Sequence, residues 1–238
     1  MRENHKVLPR TEWIEARRKL LAREKELTRL RDRLSQERRN LPWERVEKNY
    51  VFDGPEGKES LSDLFDGRQQ LIVYHFMFDP SWDAGCKSCS FWADNFDGIV
   101  VHLRQRDANL VVISRAPLAK LRDFRKRMGW HFKWLSSAAN DFNRDYQVSF
   151  TPEELAKGEA SYNYALGKPF GPESVGISVF YKDSGGALYH TYSCYSRGVE
   201  MVNGAYHFLD LLPKGRGESG TGNPQAWVRH HDSYDGEN

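Results

Sequence analysis

A narrow apolar stripe runs through the first part of the chain. Trp13, Leu20, Leu27 and Leu34 recur every seven residues between Thr11 and Asn40, with Leu21 and Leu30 beside them, and nearly every position between is Arg, Lys, Glu or Asp. The pattern predicts one long, mostly solvated helix. Thr11 is its expected N-cap, Glu12 and Glu15 fall in the positive first turn, and Pro42 ends it. Arg17, Glu24 and Arg31 occupy the second heptad core position, which disfavours a self-standing coiled coil. The stripe is expected to pack on the body of the protein or on a second copy, so a homo-oligomer through this helix is the assembly it suggests.

Beyond the helix come short segments with turn signals. Lys48–Phe52 reads as a strand, Gly54–Gly57 as a turn, and Ser60–Phe65 as a short helix stopped by Asp66-Gly67. Leu71–Phe78 is apolar on both faces, as a central parallel strand would be. Pro80–Gly85 is a loop. From Cys86 the period turns helical, with Cys89, Trp92, Ala93, Phe96, Val100 and Leu103 on one face. Asn109–Ser114 is a second buried strand. Pro117 then opens a helix with the stripe Leu121, Phe124 and Met128, and Gly129 stands where a C-cap glycine belongs. Thr151-Pro152-Glu153-Glu154 is a capping box, with Gly158 as the stop. Val175–Lys182 and Ala187–Ser193 flank a turn at Asp183–Gly186, and Val199–Leu212 reads as a closing helix.

This order predicts an α/β protein. A mixed sheet carries helices on both faces in a thioredoxin-like topology, with an added N-terminal amphipathic helix. The expected divisions are the helix at 1–45, the α/β domain at 46–213 and a C-terminal tail at 214–238. Residues 214–225, bearing Gly, Ser and Asn, read as a mobile connection, and Trp227-Val228 is the last apolar anchor.

Composition narrows the function classes. The 238 residues are 39% hydrophobic and 13% aromatic, enough for a sizeable core. Lys and Arg number 35 against 33 Asp and Glu, a net +2, which argues against an obligate binder of nucleic acid or anionic membrane. The longest mostly apolar run, Leu71–Phe78, is far short of the about 20 residues a membrane span needs. The polar start, Met1–Lys6, lacks the apolar stretch of a secretory leader. Three cysteines are too few for a disulfide scaffold. The expected compartment is the reducing cytoplasm, where a close cysteine pair reads as catalytic or metal-binding.

That pair is Cys86-Lys87-Ser88-Cys89, placed after a buried strand and at the start of a helix. A sulfur at a helix N-terminus meets unpaired N–H groups and the positive end of the dipole, both of which favour thiolate. Cys86 is the expected attacking sulfur. Cys89, one turn on and facing the core, is the expected resolving one. Trp82, Asp83, Lys87 and Ser88 flank the pair as candidate supporting residues, with Lys87 and Asp83 opposed in charge. Cys194 is a candidate third redox partner or a buried inert thiol, and Arg197 a candidate anion or thiolate contact or a surface ion pair. A zinc site would need Cys194 and a histidine to complete four ligands, and a c-type haem would need histidine where Ser90 stands. No metal or cofactor is therefore expected, while a coincidental pair of structural thiols stays open.

Other chemistry-bearing residues have plainer readings. Lys120, Arg122, Arg125, Lys126, Arg127 and Lys133, near Trp130, Phe132 and Trp134, form the solvated face of a striped helix, and nucleic acid is not an expected partner. His230-His231-Asp232 reads as a polar tail, and His75 as a satisfied core histidine.

Gly85-Cys86-Lys87-Ser88-Cys89-Ser90-Phe91-Trp92-Ala93-Asp94-Asn95-Phe96-Asp97-Gly98 resembles the core motif of a bacterial thioredoxin-like family, domain-of-unknown-function family 899. Ser178–Lys182, His190–Ser193, Tyr195–Gly198 and Trp227–Asp232 resemble its later segments, and Leu8–Glu26 is similar to its charged N-terminal helix. The resemblance implies a thioredoxin-like fold and a dithiol–disulfide oxidoreductase. Lys87 departs from it, since the family often has proline there. Aligning Phe180 with the strand that faces a thioredoxin active site puts Val175, followed by Gly176, where thioredoxins carry a cis-proline, and Pro172 is displaced from that place.

The reading that results is a thiol–disulfide oxidoreductase acting on a protein or small-molecule disulfide or thiol. A peroxiredoxin-like thiol peroxidase is one alternative. Such enzymes place a proline upstream of the helix-start cysteine, usually with threonine three before it, whereas here Pro80 is six before Cys86 and Asp83 three before. A non-catalytic thioredoxin-fold interaction protein is the other.

Overall fold

A computed structural model of the chain describes residues 5–218 and 222–234. It divides into two compact units, Met1–Pro42 and Trp43–Asn238. The first is built on α1 (Arg10–Arg39), a helix of 30 residues, none of them buried. It starts two residues earlier than expected. Pro9, at φ −56° and ψ 151°, takes the N-cap position, and the Trp13 N–H donates to its carbonyl at 3.0 Å. Thr11 therefore lies inside the first turn, because a proline's fixed φ and missing N–H already suit a helix entrance. Arg38 and Arg39 in the last turn oppose the negative end of the dipole.

The second unit runs β1 (Glu44–Arg45), β2 (Val51–Gly54), β3 (Gly57–Ser60), β4 (Gln70–His75), α2 (Lys87–Ala93), α3 (Asp97–Arg104), β5 (Ala108–Ser114), α4 (Leu118–Arg127), β6 (Lys133–Ser136), α5 (Phe142–Asp145), α6 (Pro152–Lys157), β7 (Ala160–Tyr162), β8 (Ala165–Gly167), β9 (Gly176–Lys182), β10 (Leu188–Tyr195) and α7 (Gly204–Leu209). Eight strands form one sheet in the order β1-β10-β9-β4-β5-β6-β2-β3. β4 pairs in parallel with β5 and antiparallel with β9, and β9 pairs antiparallel with β10. Helices α2 and α3 cross between β4 and β5, and α7 follows β10. This is the thioredoxin-like arrangement that the element order predicts. β6 and the β2–β3 hairpin extend the sheet on one side and β1 on the other.

The strand period of two sorts β4 between two cores. Leu71 and Val73 join Phe52, Val111, Ile113, Leu135, Phe142 and Phe180 on one face. Tyr74 and Phe76 join Cys89, Trp92, Phe96, Val112 and Trp134 on the other. β4 is thus buried from both sides, and its end delivers the chain to the cysteine loop.

Several local forecasts hold at the level of single hydrogen bonds. Thr151 accepts from the Glu154 N–H at 3.2 Å and the Glu154 carboxylate from the Thr151 N–H at 2.7 Å, with Pro152 in the first turn and Gly158 left-handed at φ +67°. Two expected helices are broken. The cysteine helix stops at Ala93 and resumes at Asp97, because the Asn95 side chain donates back to the Phe91 and Trp92 carbonyls at 3.0 and 3.2 Å and accepts from the Gly204 N–H at 3.1 Å. The closing helix is a 3-10 stretch, Ser196–Val202, and then α7, restarted by Asn203, whose side chain caps the Tyr206 N–H at 3.0 Å. The strand expected at Lys48–Phe52 is shifted to Val51–Gly54, where pairing with β3 sets its register. Within the expected 214–225 connection, residues 214–217 and 222–225 are turns or bends, and 219–221 lie outside the described residues, as do 235–238 of the expected tail. Among the described residues, no helix is long and apolar enough to cross a membrane.

Two substitutions measure these contributions. Phe180→Ala, at a fully buried position, is expected to lower unfolding stability by about 3–5 kcal/mol. Thr151→Ala is expected to cost about 1 kcal/mol through loss of the cap. Urea unfolding read by circular dichroism checks both, and equal costs would contradict this assignment of core and cap.

Candidate active site

The loop that follows β4 is held at both ends of its turn. The ladder to β5 continues past the strand, with Phe76 N–H to Ile113 O at 3.0 Å and Ala116 N–H to Phe78 O at 2.8 Å. Asp79 then accepts from the Ser81 N–H and hydroxyl at 2.9 and 2.6 Å. Its other oxygen meets Arg115 at 3.0 Å, and Arg115 also pairs with the buried Glu173 at 2.8 Å. Burial pushes the Glu173 carboxyl up to about 7 against the pull of its Ser149 bond and Arg115. Lys120 donates to the Pro80 and Trp82 carbonyls, each at 2.9 Å. Gly85 follows under the Phe76 and Phe124 rings, where a Cβ would fall 2.7 and 2.9 Å from ring carbons. Close approach, not a special backbone angle, requires glycine here.

Cys86 is the N-cap of α2, at φ −55° and ψ 126°. Its N–H donates to the Met77 carbonyl at 3.1 Å, and its own carbonyl accepts from the Ser90 N–H at 2.9 Å and the Ser90 hydroxyl at 3.0 Å. The residue as a whole is half-buried. A hydrogen bond from the Cys89 thiol lowers its pKa most, and the Cys89 and Ser88 N–H groups and the Ser88 hydroxyl add to this, against the opposing effect of burial. Lys87 and Trp82 are half-buried beside the motif, and Asp83 is exposed.

Cys89 is the opposite case. It is buried among Tyr74, Trp92 and Phe96. Burial, then the hydrogen bond and charge of Cys86, push its pKa well up. The Met77 N–H, 3.5 Å from the Cys89 sulfur, and the Tyr74 hydroxyl pull the other way. The two cysteines thus differ in burial and in acidity, Cys86 lowered and Cys89 raised. A pair of this kind can attack with one sulfur and resolve with the other.

The remaining sequence-selected residues take distinct places. Val175 packs on the core shared by both cysteines, and its carbonyl accepts from the Tyr162 hydroxyl at 2.8 Å. Gly176 opens β9, where a Cβ would meet the Tyr195 ring at 2.8 Å. All peptide bonds of the described residues are trans. Cys194, registered opposite Ile177, is a buried thiol in the same core. Arg197 is on the surface, paired with Glu200 at 2.8 Å and with 85% of its side chain exposed. His75 is fully buried, bonded to the Ser178 hydroxyl at 2.9 Å and pushed down to about 3 by burial, so it is neutral. Trp130, Phe132 and Trp134 are core residues with no free face for stacking bases. No group of three or more metal-ligating side chains occurs among the described residues.

Sequence reasoning missed Met77 and Tyr74. Tyr74 carried a signal, since it shares strand parity with Phe76 and so points to the face on which Cys89 lies.

The chain belongs to a family of bacterial proteins of unknown function, DUF899, whose model matches residues 2–234. No curated protein matches it in sequence. Similar solved structures include peroxidoxin BcpB from Mycobacterium tuberculosis, at 15% identity and a TM-score of 0.46 over 68% of this chain and 93% of that one. Peroxiredoxin Q from Xanthomonas campestris is similar at 11% identity and a TM-score of 0.48 over 69% and 93%.

The hydrogen-bond pattern predicts the thiol titration. A thiolate is present above its pKa and lost as pH falls through it, so Cys86 alkylation by iodoacetamide is expected to be half-maximal well below the about 8.5 of an ordinary thiol. Cys89→Ala removes the largest of the effects that lower the Cys86 pKa and is expected to move the midpoint upward. Peptide mapping of the alkylated chain over a pH series checks this, and an unmoved midpoint would contradict the assigned cause.

Proposed function

We propose that the protein is a thiol–disulfide oxidoreductase in which Cys86 and Cys89 form the working dithiol. The observation that carries this reading is the asymmetry of the pair: a half-buried cysteine at a helix start with a lowered pKa, one turn before a buried cysteine with a raised pKa. Structural thiols in a core have no need of either feature.

In the reducing direction, the Cys86 thiolate attacks one sulfur of a substrate disulfide. A mixed disulfide forms and the other substrate sulfur leaves as thiolate. Cys89 then gives up its proton, which the departing thiolate takes, and attacks the Cys86 sulfur. The Cys86–Cys89 bond closes, the second substrate sulfur leaves as thiolate, and two electrons have passed from the protein to the substrate. The Met77 N–H and the Tyr74 hydroxyl favour the Cys89 anion when it forms. Run backwards, the same steps oxidise a dithiol. The substrate class is a disulfide or dithiol on a protein or small molecule, and a reducing compartment suits its recycling.

Single-turnover reduction of insulin disulfides by the pre-reduced chain tests the proposal. Wild type is expected to reduce them, Cys86→Ser to fall to background, and Cys89→Ala to stall as a mixed disulfide visible by mass. Full activity in Cys86→Ser would overturn the reading.

A further inference from the structure

The C-terminal segment reaches back to the peptide that carries Cys86. His230 Nε2 lies 2.9 Å from the Gly85 carbonyl oxygen. A carbonyl only accepts, so Nε2 holds the proton and Nδ1 is the ring's acceptor. Nδ1 meets the Arg127 guanidinium, which only donates, at 3.4 Å. The two partners fix the orientation of the ring, with Nε2 toward Gly85 and Nδ1 toward Arg127. Arg127 also holds Asp232 through two bonds of 2.7 and 2.9 Å. His231 Nδ1 lies 2.7 Å from Asp94, which accepts from the Trp130 indole at 2.8 Å as well. The His230 ring stands edge-on to Phe124 at 5.3 Å, Trp227 edge-on to Phe91 at 5.5 Å, and Val228 is fully buried. The segment expected to be a polar tail is fastened to α2, to the turn after it and to α4.

The place of contact matters because of the peptide unit it touches. The Gly85 carbonyl and the Cys86 N–H belong to one planar group. His230 holds its oxygen, and the Met77 carbonyl accepts from its N–H at 3.1 Å. With both ends held, the entry into α2 is fixed. The first turn of α2, whose Ser88 and Cys89 N–H groups help lower the Cys86 pKa, is then held in place.

We propose that His230 is a positioning residue for Cys86, acting through the Gly85–Cys86 peptide, with Arg127 and Asp232 setting its ring. Its consequence for turnover rests on the dithiol reading above, but its effect on the sulfur does not.

The test is the pH profile of Cys86 alkylation by iodoacetamide in the full-length chain, with thermal unfolding recorded in parallel. His230→Ala is expected to slow alkylation at pH 6.5 by about 3- to 10-fold, the range of one lost hydrogen bond, and to shift the profile to higher pH. His230→Gln, whose amide can donate to the same carbonyl, is expected to restore most of the rate. Asp232→Asn, which loosens Arg127, is expected to shift the profile in the same direction by less. A lower melting temperature with an unmoved profile would reduce His230 to a structural contact and overturn the proposal. Should His230→Ala not fold, Asp232→Asn decides by the same readout, and an unshifted profile overturns it. A wild-type chain that reduces no disulfide would defeat the proposed activity, yet the alkylation comparison would still decide the role of His230.

Discussion

Both cysteines are tied to the peptide groups of one residue. The Met77 carbonyl accepts from the Cys86 N–H at 3.1 Å, and the Met77 N–H points at the Cys89 sulfur from 3.5 Å. Met77 itself is held because its neighbours prolong the sheet, Phe76 by bonding to Ile113 and Phe78 by bonding to Ala116. The dithiol is thereby registered to the strand that lies between β5 and β9 and is buried on both faces. A shift of β4 by one residue would exchange its two core faces and carry the cysteines with it. The rigidity of the site is inherited from the packing of Leu71, Val73, Tyr74 and Phe76.

The same anchoring separates the two sulfurs in kind. Cys86 ends a loop and stands at the N-cap position of a helix, where the Cys89 thiol, the nearby N–H groups and the Ser88 hydroxyl lower its pKa and the residue stays half-buried. Cys89, three positions on, is turned by the helix into an aromatic core of Tyr74, Trp92 and Phe96, where a charge is costly. The Asp79–Arg115–Glu173 pairing ties the cysteine loop to the segment that leads into Val175 and Gly176. Asp79 and Glu173 are both buried, so these pairs are less screened by solvent than exposed ones.

Features governed by local rules were legible in the sequence. The apolar run of β4, the Cys86–Cys89 spacing at a helix start, the Asp183–Gly186 turn and the Thr151 capping box all depend on neighbours a few residues away. Features governed by distant partners were not. The breaks at Asn95 and Asn203 follow from side chains competing for backbone groups, and Asn95 finds Gly204 more than a hundred positions away. The short strands β1, β3 and β6 exist because a sheet edge was there to receive them. His230, read as tail, matters only through Gly85, and nothing in the local pattern announces that contact. Arg197 shows the converse: a residue attractive beside Cys194 in sequence is engaged by Glu200 three positions on.

The redox midpoint of the Cys86–Cys89 pair tests the account most directly. Thiol trapping in glutathione buffers of graded ratio, with Cys194→Ser as control, reads it from the full-length chain. The account predicts one two-electron transition within the biological range, about −270 to −120 mV, unchanged in the control. Failure to form a disulfide between Cys86 and Cys89 at any potential would contradict it.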